Sequence, residues 1–314
     1  MGFFTKRKHY VNAYYELNAI KVRDIMIKDV MCIHKGDKLI DAAHTMIGAH
    51  ISCLVVLENY KPIGILTERD FIKKLDMTTE HSEELLVNDV MTKKLFTVDT
   101  HLDLFKAQGI MREHNFRKLI IVEDEDLKGI ITQTDLCRAV AELKSPHPRA
   151  PLVKQVMTKG VLMVEEDDKF LKAKKLMASN DIGSVIVADN KQIKGMFTEF
   201  DIVSEFFLNP NRLRNSYMKD LMTSPIICIS PDFDLFQVNK LMIEHNFRRL
   251  PVIDEHKITG IVTQTDIARG LYQFLEQRSD FVPDKKAKHE KELKYDIKKR
   301  GGVILYVKEY KRKK

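Results

Sequence analysis

The chain has 314 residues, 44% of them hydrophobic and 31% charged, with 13 Gly, 9 Pro and a net charge of +7. That length suits about two domains, and that composition excludes a disordered or fibrous chain. No apolar run reaches the roughly 18 residues of a membrane span, and Cys32, Cys53, Cys137 and Cys228 form no C-x-x-C pair, so the chain reads as a soluble cytoplasmic protein with reduced thiols.

Residues 1–21 form a basic N-terminal extension, with Lys6, Arg7, Lys8 and Lys21 set against Glu16, a balance of +3, and no apolar stretch behind them to make a secretory signal. After Asp24-Ile-Met26 the sequence predicts a short extended piece, Val30–Ile33. An amphipathic helix follows, with Leu39, Ala42, Ala43 and Met46 at three-to-four spacing. Two strand-like runs, Cys53–Leu57 and Pro62–Leu66, flank the polar turn Glu58–Lys61, and a second helix runs from Asp70 to Leu75. The order is βαββα. A second unit opens at Asp89-Val-Met91. The proline-punctuated stretch Lys144–Pro151 reads as a linker. A third unit opens at Gln155-Val-Met157, with helix positions Phe170, Ala173, Leu176 and Met177, and a fourth at Asp220-Leu-Met222, followed by extended Pro225–Ile229. The C-terminal extension carries an acid–base mix, Lys285–Tyr295, that suits a solvated helix, then a turn at Gly301-Gly302, a strand-like Val303–Val307 and the basic end Lys311–Lys314. Residues 284–314 hold thirteen Lys/Arg against five Asp/Glu, a balance of +8. The body between the two extensions is therefore near −4, and the basicity belongs to the tails.

Two markers establish the repeat. The methionines Met26, Met91, Met157 and Met222 stand 65, 66 and 65 residues apart. A second element, G-φ-φ-T-x-x-D with φ apolar, keeps that register at Gly64–Asp70, Gly129–Asp135, Gly195–Asp201 and Gly260–Asp266. A longer period of 131 relates Glu113-His-Asn-Phe-Arg117 to Glu244-His-Asn-Phe-Arg248. Even repeats therefore resemble each other more than odd ones, and the unit that was duplicated is a pair.

The βαββα repeat ending in G-φ-φ-T-x-x-D resembles the CBS repeat, and two in tandem resemble a Bateman module. Four in one chain are similar to the γ regulatory subunit of AMP-activated protein kinase and to stand-alone prokaryotic tandem-CBS proteins. The resemblance implies an α/β fold of four repeats paired into two modules, with adenine-nucleotide clefts between paired repeats. The expected organisation is pair one at 22–143 (repeats 22–75 and 87–140), a linker at 144–152, pair two at 153–271 (repeats 153–206 and 217–271) and a basic extension at 272–314.

The chemistry of G-φ-φ-T-x-x-D fits that reading. A strand ending at Thr and followed at once by a helix presents free N–H groups and the positive end of the helix dipole, which suit phosphate. The hydroxyls of Thr67, Thr132, Thr198 and Thr263 are candidate phosphate donors, and Thr134 and Thr265 add a second hydroxyl in the even repeats. The two oxygens of Asp70, Asp135, Asp201 and Asp266 match a ribose diol. Thr-x-x-Asp is also a capping box, so capping and ligand binding both stand at each site. Before the second strand, even repeats carry Arg117-Lys118 and Arg248-Arg249, where odd repeats have Ser52-Cys53 and Gly183-Ser184. The kinase resemblance implies that these basic residues face phosphates, although that subunit often has His at the first position. A solvated basic turn is the alternative. Arg69 and Phe200 fill the third position of T-x-x-D in the odd repeats, and His114 and His245 read as packing residues.

No Walker loop, G-x-S-x-G, G-x-G-x-x-G or zinc spacing is present, so no enzyme is expected. The expected ligand is AMP, ADP or ATP, with Mg2+ as counter-ion of the nucleotide and no protein metal site. Three functions remain open: a nucleotide-responsive subunit acting on a protein partner, a factor docking on RNA or the ribosome through its basic tails, and a binder of S-adenosylmethionine. The body is expected as a monomeric disk or a homodimer.

Overall fold

The computed structural model describes residues 8–76, 84–93, 95–143, 150–190, 192–255, 257–277, 295–300 and 303–308. After helix α1 (Lys8–Ala19), repeat one comprises α2 (Val22–Ile25), β1 (Cys32–His34), α3 (Leu39–Gly48), β2 (Cys53–Glu58), β3 (Lys61–Thr67) and α4 (Glu68–Lys73). Repeat two comprises α5 (Val87–Val90), β4 (Thr97–Asp99), α6 (Leu104–Glu113), β5 (Lys118–Glu123), β6 (Asp126–Thr132) and α7 (Gln133–Ala141). Repeat three comprises α8 (Val153–Val156), β7 (Met163–Glu165), α9 (Phe170–Ser179), β8 (Ser184–Asp189), β9 (Gln192–Thr198) and α10 (Glu199–Leu208), with α11 (Pro210–Asn215) behind it. Repeat four comprises α12 (Met218–Leu221), β10 (Ile226–Ile229), α13 (Leu235–Glu244), β11 (Arg249–Asp254), β12 (Lys257–Thr263) and α14 (Gln264–Glu276), and the chain ends in the hairpin β13 (Tyr295–Arg300) and β14 (Val303–Lys308).

Each repeat builds one small sheet. The first strand runs parallel to the second, as in Cys32↔Val55, and the second is antiparallel to the third, as in Val55↔Ile65. The tight hairpins use left-handed residues, Asn59 and Tyr60 in repeat one and Asp124 and Glu125 in repeat two. The helix between the first and second strands of each repeat (α3, α6, α9 and α13) closes on another left-handed residue, at His50, Asn115, Asp181 and Asn246, again in repeat register.

The repeats meet in two ways. Sheets pack within a module. Val55, Ile120 and Ile130 join repeats one and two, while Ile186, Ile226, Cys228 and Ile253 join repeats three and four. Helices pack between modules. A large core joins repeat one to repeat three through residues such as Phe71, Phe170 and Phe206, and another joins repeat two to repeat four through Leu136, Leu241 and Leu271. The four repeats thus close a ring in the order one, two, four, three.

Within each module the repeats are interlocked by their leading segments. Met26, in the leading segment of repeat one, lies on Gly129 of repeat two, and Met91, in that of repeat two, lies on Gly64 of repeat one. Met157 on Gly260 and Met222 on Gly195 repeat the exchange in the second module. Backbone bridges pin every strap: Ile27↔Ile130, Ile65↔Thr92, Thr158↔Ile261 and Met196↔Thr223. The two sequence markers of the repeat are therefore one contact in space.

The N-terminal extension is helical over Lys8–Ala19. It docks by burying Leu17, with the Tyr14 ring 4.7 Å from that of Phe105. The strand-like Val303–Val307 forms β14, which pairs not with a separate partner but in parallel with β10, from Ile226↔Val303 to Ile229↔Tyr306. The fourth sheet thereby grows to five strands in the order β12-β11-β10-β14-β13. The expected solvated helix begins at residues outside the described set, and its last position, Tyr295, opens β13. The basic end Lys311–Lys314 and most of the 144–152 linker also lie outside the described residues. No helix among the described residues is long and apolar enough to cross a membrane.

Candidate functional site

All four T-x-x-D elements form the same cap. Thr67, Thr132, Thr198 and Thr263 are N-cap residues in extended conformation. In each, one oxygen of the Asp, Oδ2, accepts both the Thr backbone N–H and the Thr hydroxyl. The distances are 2.8 and 2.7 Å at Asp70 and at Asp135, 2.7 and 2.8 Å at Asp201, and 2.9 and 2.7 Å at Asp266. The four Thr hydroxyls expected to face phosphate are thus turned onto their own Asp. Capping thus uses one oxygen of each carboxylate, Oδ2.

The second oxygen separates the modules. In repeat one, Oδ1 of Asp70 is taken by the Thr92 hydroxyl at 2.9 Å and Lys74 Nζ at 2.7 Å. In repeat two, Oδ1 of Asp135 meets Arg138 Nη1 at 3.1 Å. Both side chains are buried. Asp201 and Asp266 are half-buried, and their Oδ1 atoms hold no hydrogen bond among the described residues. Burial raises the Asp201 carboxyl above its ordinary value, over the opposing hydrogen bonds from Thr198. Of the extra hydroxyls, Thr134 donates to Gln264 Oε1 at 2.7 Å across the repeat two–four contact, and Thr265 is half-buried.

The basic residues converge where the modules meet. Arg117 Nη1 donates to Glu199 Oε1 at 2.6 Å, linking repeat two to repeat three. Arg248 Nη1 donates to both oxygens of Glu68, at 2.8 and 3.0 Å, linking repeat four to repeat one. Arg249 donates to the Gly183 carbonyl and, at 3.2 Å, to Glu199 Oε1. Lys118 Nζ donates to the Ser52 carbonyl and hydroxyl, both at 3.1 Å. Burial alone raises the Glu199 carboxyl, but the Arg117 and Arg249 guanidinium groups outweigh it and hold the group below its ordinary range. Burial lowers Arg248, and the Glu68 carboxylate reverses that to a net rise. Arg249 stays lowered, because burial and the Arg117 charge together exceed the pull of Glu199.

Glu68 and Glu199 were not among the expected site residues. Their signal was present in the motif, which reads Thr-Glu in the odd repeats and Thr-Gln in the even ones, opposite the alternation of the basic pairs. Gly183 is small for the same reason, since a Cβ there would lie 2.8 Å from the Glu199 carboxylate. Arg69 binds Asp181 at 2.9 Å, whereas Phe200 stacks on His50 with centroids 6.4 Å apart. His114 and His245, both exposed, stack on Phe116 and Phe247. Among the described residues no group of three metal-ligating side chains comes together.

Comparison with known proteins places this architecture. Uncharacterized protein MJ1225 of Methanocaldococcus jannaschii is 27% identical over 212 residues, spanning 64% of this chain and 75% of that protein. Its crystal structure, described as a candidate archaeal homolog of γ-AMPK, superposes with a TM-score of 0.72 at 20% identity, covering 80% of this chain and 99% of that one. Hypoxic response protein 1 of Mycobacterium tuberculosis is 34% identical over 122 residues, 38% of this chain and 83% of that protein. The CBS-domain family model matches residues 22–76, 87–142, 153–207 and 218–273. With four matched repeats interlocked two by two and closed into a ring, the chain belongs to the CBS-domain family.

Proposed function

We propose that this protein is a non-catalytic regulatory subunit that binds adenine nucleotides, and that the clefts of repeats three and four are the competent ones. One observation carries the reading. Asp201 and Asp266, both half-buried, spend one oxygen on the helix cap and keep the other without a hydrogen bond among the described residues, the arrangement a ribose hydroxyl needs. The same oxygens of Asp70 and Asp135 are already bonded within the chain. The basic residues at the meeting of the modules supply the charge for phosphate. AMP, ADP and ATP are the ligands proposed, with Mg2+ accompanying the nucleotide, and signalling runs to a protein partner.

Titration calorimetry of the full chain with adenosine, AMP, ADP and ATP tests this. Asp266→Asn and Asp201→Asn keep a capping oxygen but turn the ribose-facing atom into a donor, so each should cost its cleft about 1.5–3 kcal/mol, roughly 10- to 100-fold. Asp70→Asn and Asp135→Asn should change nucleotide binding less than about twofold. Equal affinity for ribo and 2′-deoxy nucleotides would mean that the Asp residues only cap helices. Absence of heat with every adenosyl ligand, S-adenosylmethionine included, would end the nucleotide reading.

A further inference from the structure

Two carboxylates and five cations are gathered where the modules meet. Glu68 and Glu199 are the carboxylates; Arg117, Arg248, Arg249 and, at 3.8 Å, Arg69 bind them, and Lys118 adds its charge near Glu199. Cations outnumber carboxylates here even when Asp181, which also binds Arg69, is counted. The Glu side chains are only 3% and 4% exposed, whereas Arg117 and Arg248 are 40% and 38% exposed. The centre is thus a buried anionic floor beneath guanidinium groups that an incoming ligand can reach. Glu199 Oε2, fully buried, has no hydrogen-bond partner among the described residues and meets only the charge of Arg69, whose Nε lies 3.8 Å away. A buried carboxylate oxygen without a donor is costly, and here it persists in the middle of a cationic cluster.

We propose that Glu199 and Glu68 are built-in stand-ins for ligand phosphate. Each occupies a guanidinium that a phosphate group would otherwise take, so that phosphate binds in competition with the carboxylate. The chemistry of the pairs supports the exchange. Arg248 grips both oxygens of Glu68 from one nitrogen, and Arg117 meets Glu199 through a single short contact. Carboxylate and phosphate are the two anions that a guanidinium fork accepts interchangeably. Two consequences follow from mass action. The apparent affinity for phosphate is reduced by the fraction of time each Arg is held. A ligand must also bring enough negative charge to outcompete a carboxylate, so these glutamates set the number of phosphates to which the protein responds. Because Arg117–Glu199 ties repeat two to three and Arg248–Glu68 ties repeat four to one, the exchange also loosens contacts between modules, which gives ligand charge a route to the shape of the ring.

This inference rests on the clefts being phosphate-ligand sites, so the test separates phosphate from nucleoside. Inorganic tripolyphosphate and adenosine are titrated separately into full-length wild type, Glu199→Gln and Glu68→Gln. Neutralising either carboxylate should tighten tripolyphosphate binding by about tenfold or more, the worth of one freed charge-assisted contact, and leave adenosine within about twofold. Adding Arg117→Gln to Glu199→Gln should remove most of the gain, leaving what the freed Arg249 supplies. If Glu199→Gln does not fold, Glu68→Gln decides, since Arg248 contacts Glu68 alone. Tripolyphosphate affinity unchanged or weakened in the variants would overturn the proposal and leave the glutamates as structural ties. Failure of adenosine to bind wild type would instead overturn the nucleotide reading, with the tripolyphosphate arm still decisive for the glutamates.

Discussion

Replacing Gly129 by Ala adds one methyl group at the crossing of the first module. Its Cβ would stand 2.6 Å from Met26 Sδ, 2.9 Å from Met26 Cγ and 2.9 Å from the Ile27 carbonyl oxygen. The methionine can swing away, since its side chain is flexible. The carbonyl cannot, because the backbone on either side of it is pinned to Ile130, Ile27 N–H to Ile130 O at 2.9 Å and Ile130 N–H to Ile27 O at 3.0 Å. Overpacking of this kind costs about 1–3 kcal/mol. If the strap lifts to relieve it, two backbone hydrogen bonds are lost at about 0.5–1.5 kcal/mol each. Either route predicts a loss of about 2 kcal/mol. Gly109 in α6 is the matched control: nothing lies within 4 Å of its Cβ position, so Gly109→Ala should stabilise by about 0.5–1 kcal/mol through helix propensity alone. Urea unfolding with the m-value checked in each variant measures both. Opposite signs are expected from one and the same substitution. A Gly129→Ala stability within about 0.5 kcal/mol of wild type would show that Met26 absorbs the methyl and that the interlock is looser than its distances indicate.

Three other outcomes are expected. Burial pushes the thiols of Cys137 and Cys228 up to about 12, so neither should react with iodoacetamide at neutral pH before the chain unfolds; mass spectrometry that finds them alkylated in the native state would contradict their burial. Glu199 is held below its ordinary value of 4.5, so its contribution is present above that pH and lost as pH falls through the lower folded value; Glu199→Gln should cost about 2 kcal/mol at pH 7, and the gap to wild type should close on acidification, whereas a gap independent of pH would mean that packing and not charge is lost. Deleting residues 284–314 removes β13 and β14 and bares the edge of β10, so amide exchange in Ile226–Ile229 should accelerate; unchanged protection would show that the fourth sheet does not depend on its added strands.

Periodicity was enough to read four βαββα units and the closer likeness of the even repeats to each other, and the Thr caps were legible because a cap depends on residues a few positions apart. The helix of Leu39, Ala42, Ala43 and Met46 buries those very side chains, as three-to-four spacing requires. The candidate site was legible in its residues and not in their partners. Asp70 and Asp266 are the same letter in the same motif, yet Lys74 and Thr92 occupy the first, and among the described residues nothing bonds the outer oxygen of the second. That difference is set by side chains one turn of helix and one strap away. Arg117 and Arg248 were recognised as basic residues in alternate copies, but their Glu199 and Glu68 partners lie 82 and 180 residues distant, in the opposite module. What the sequence determined by itself is therefore whatever a repeat can state about its own backbone: period, caps, turns and which faces are apolar. What only the tertiary structure decided is whatever depends on two repeats at once: the methionine that closes on a glycine of its neighbour, the β14 strand that completes its own chain's sheet, and the carboxylates seated under the arginines. Ring closure brings these groups together, and no local spacing encodes a distance across the ring.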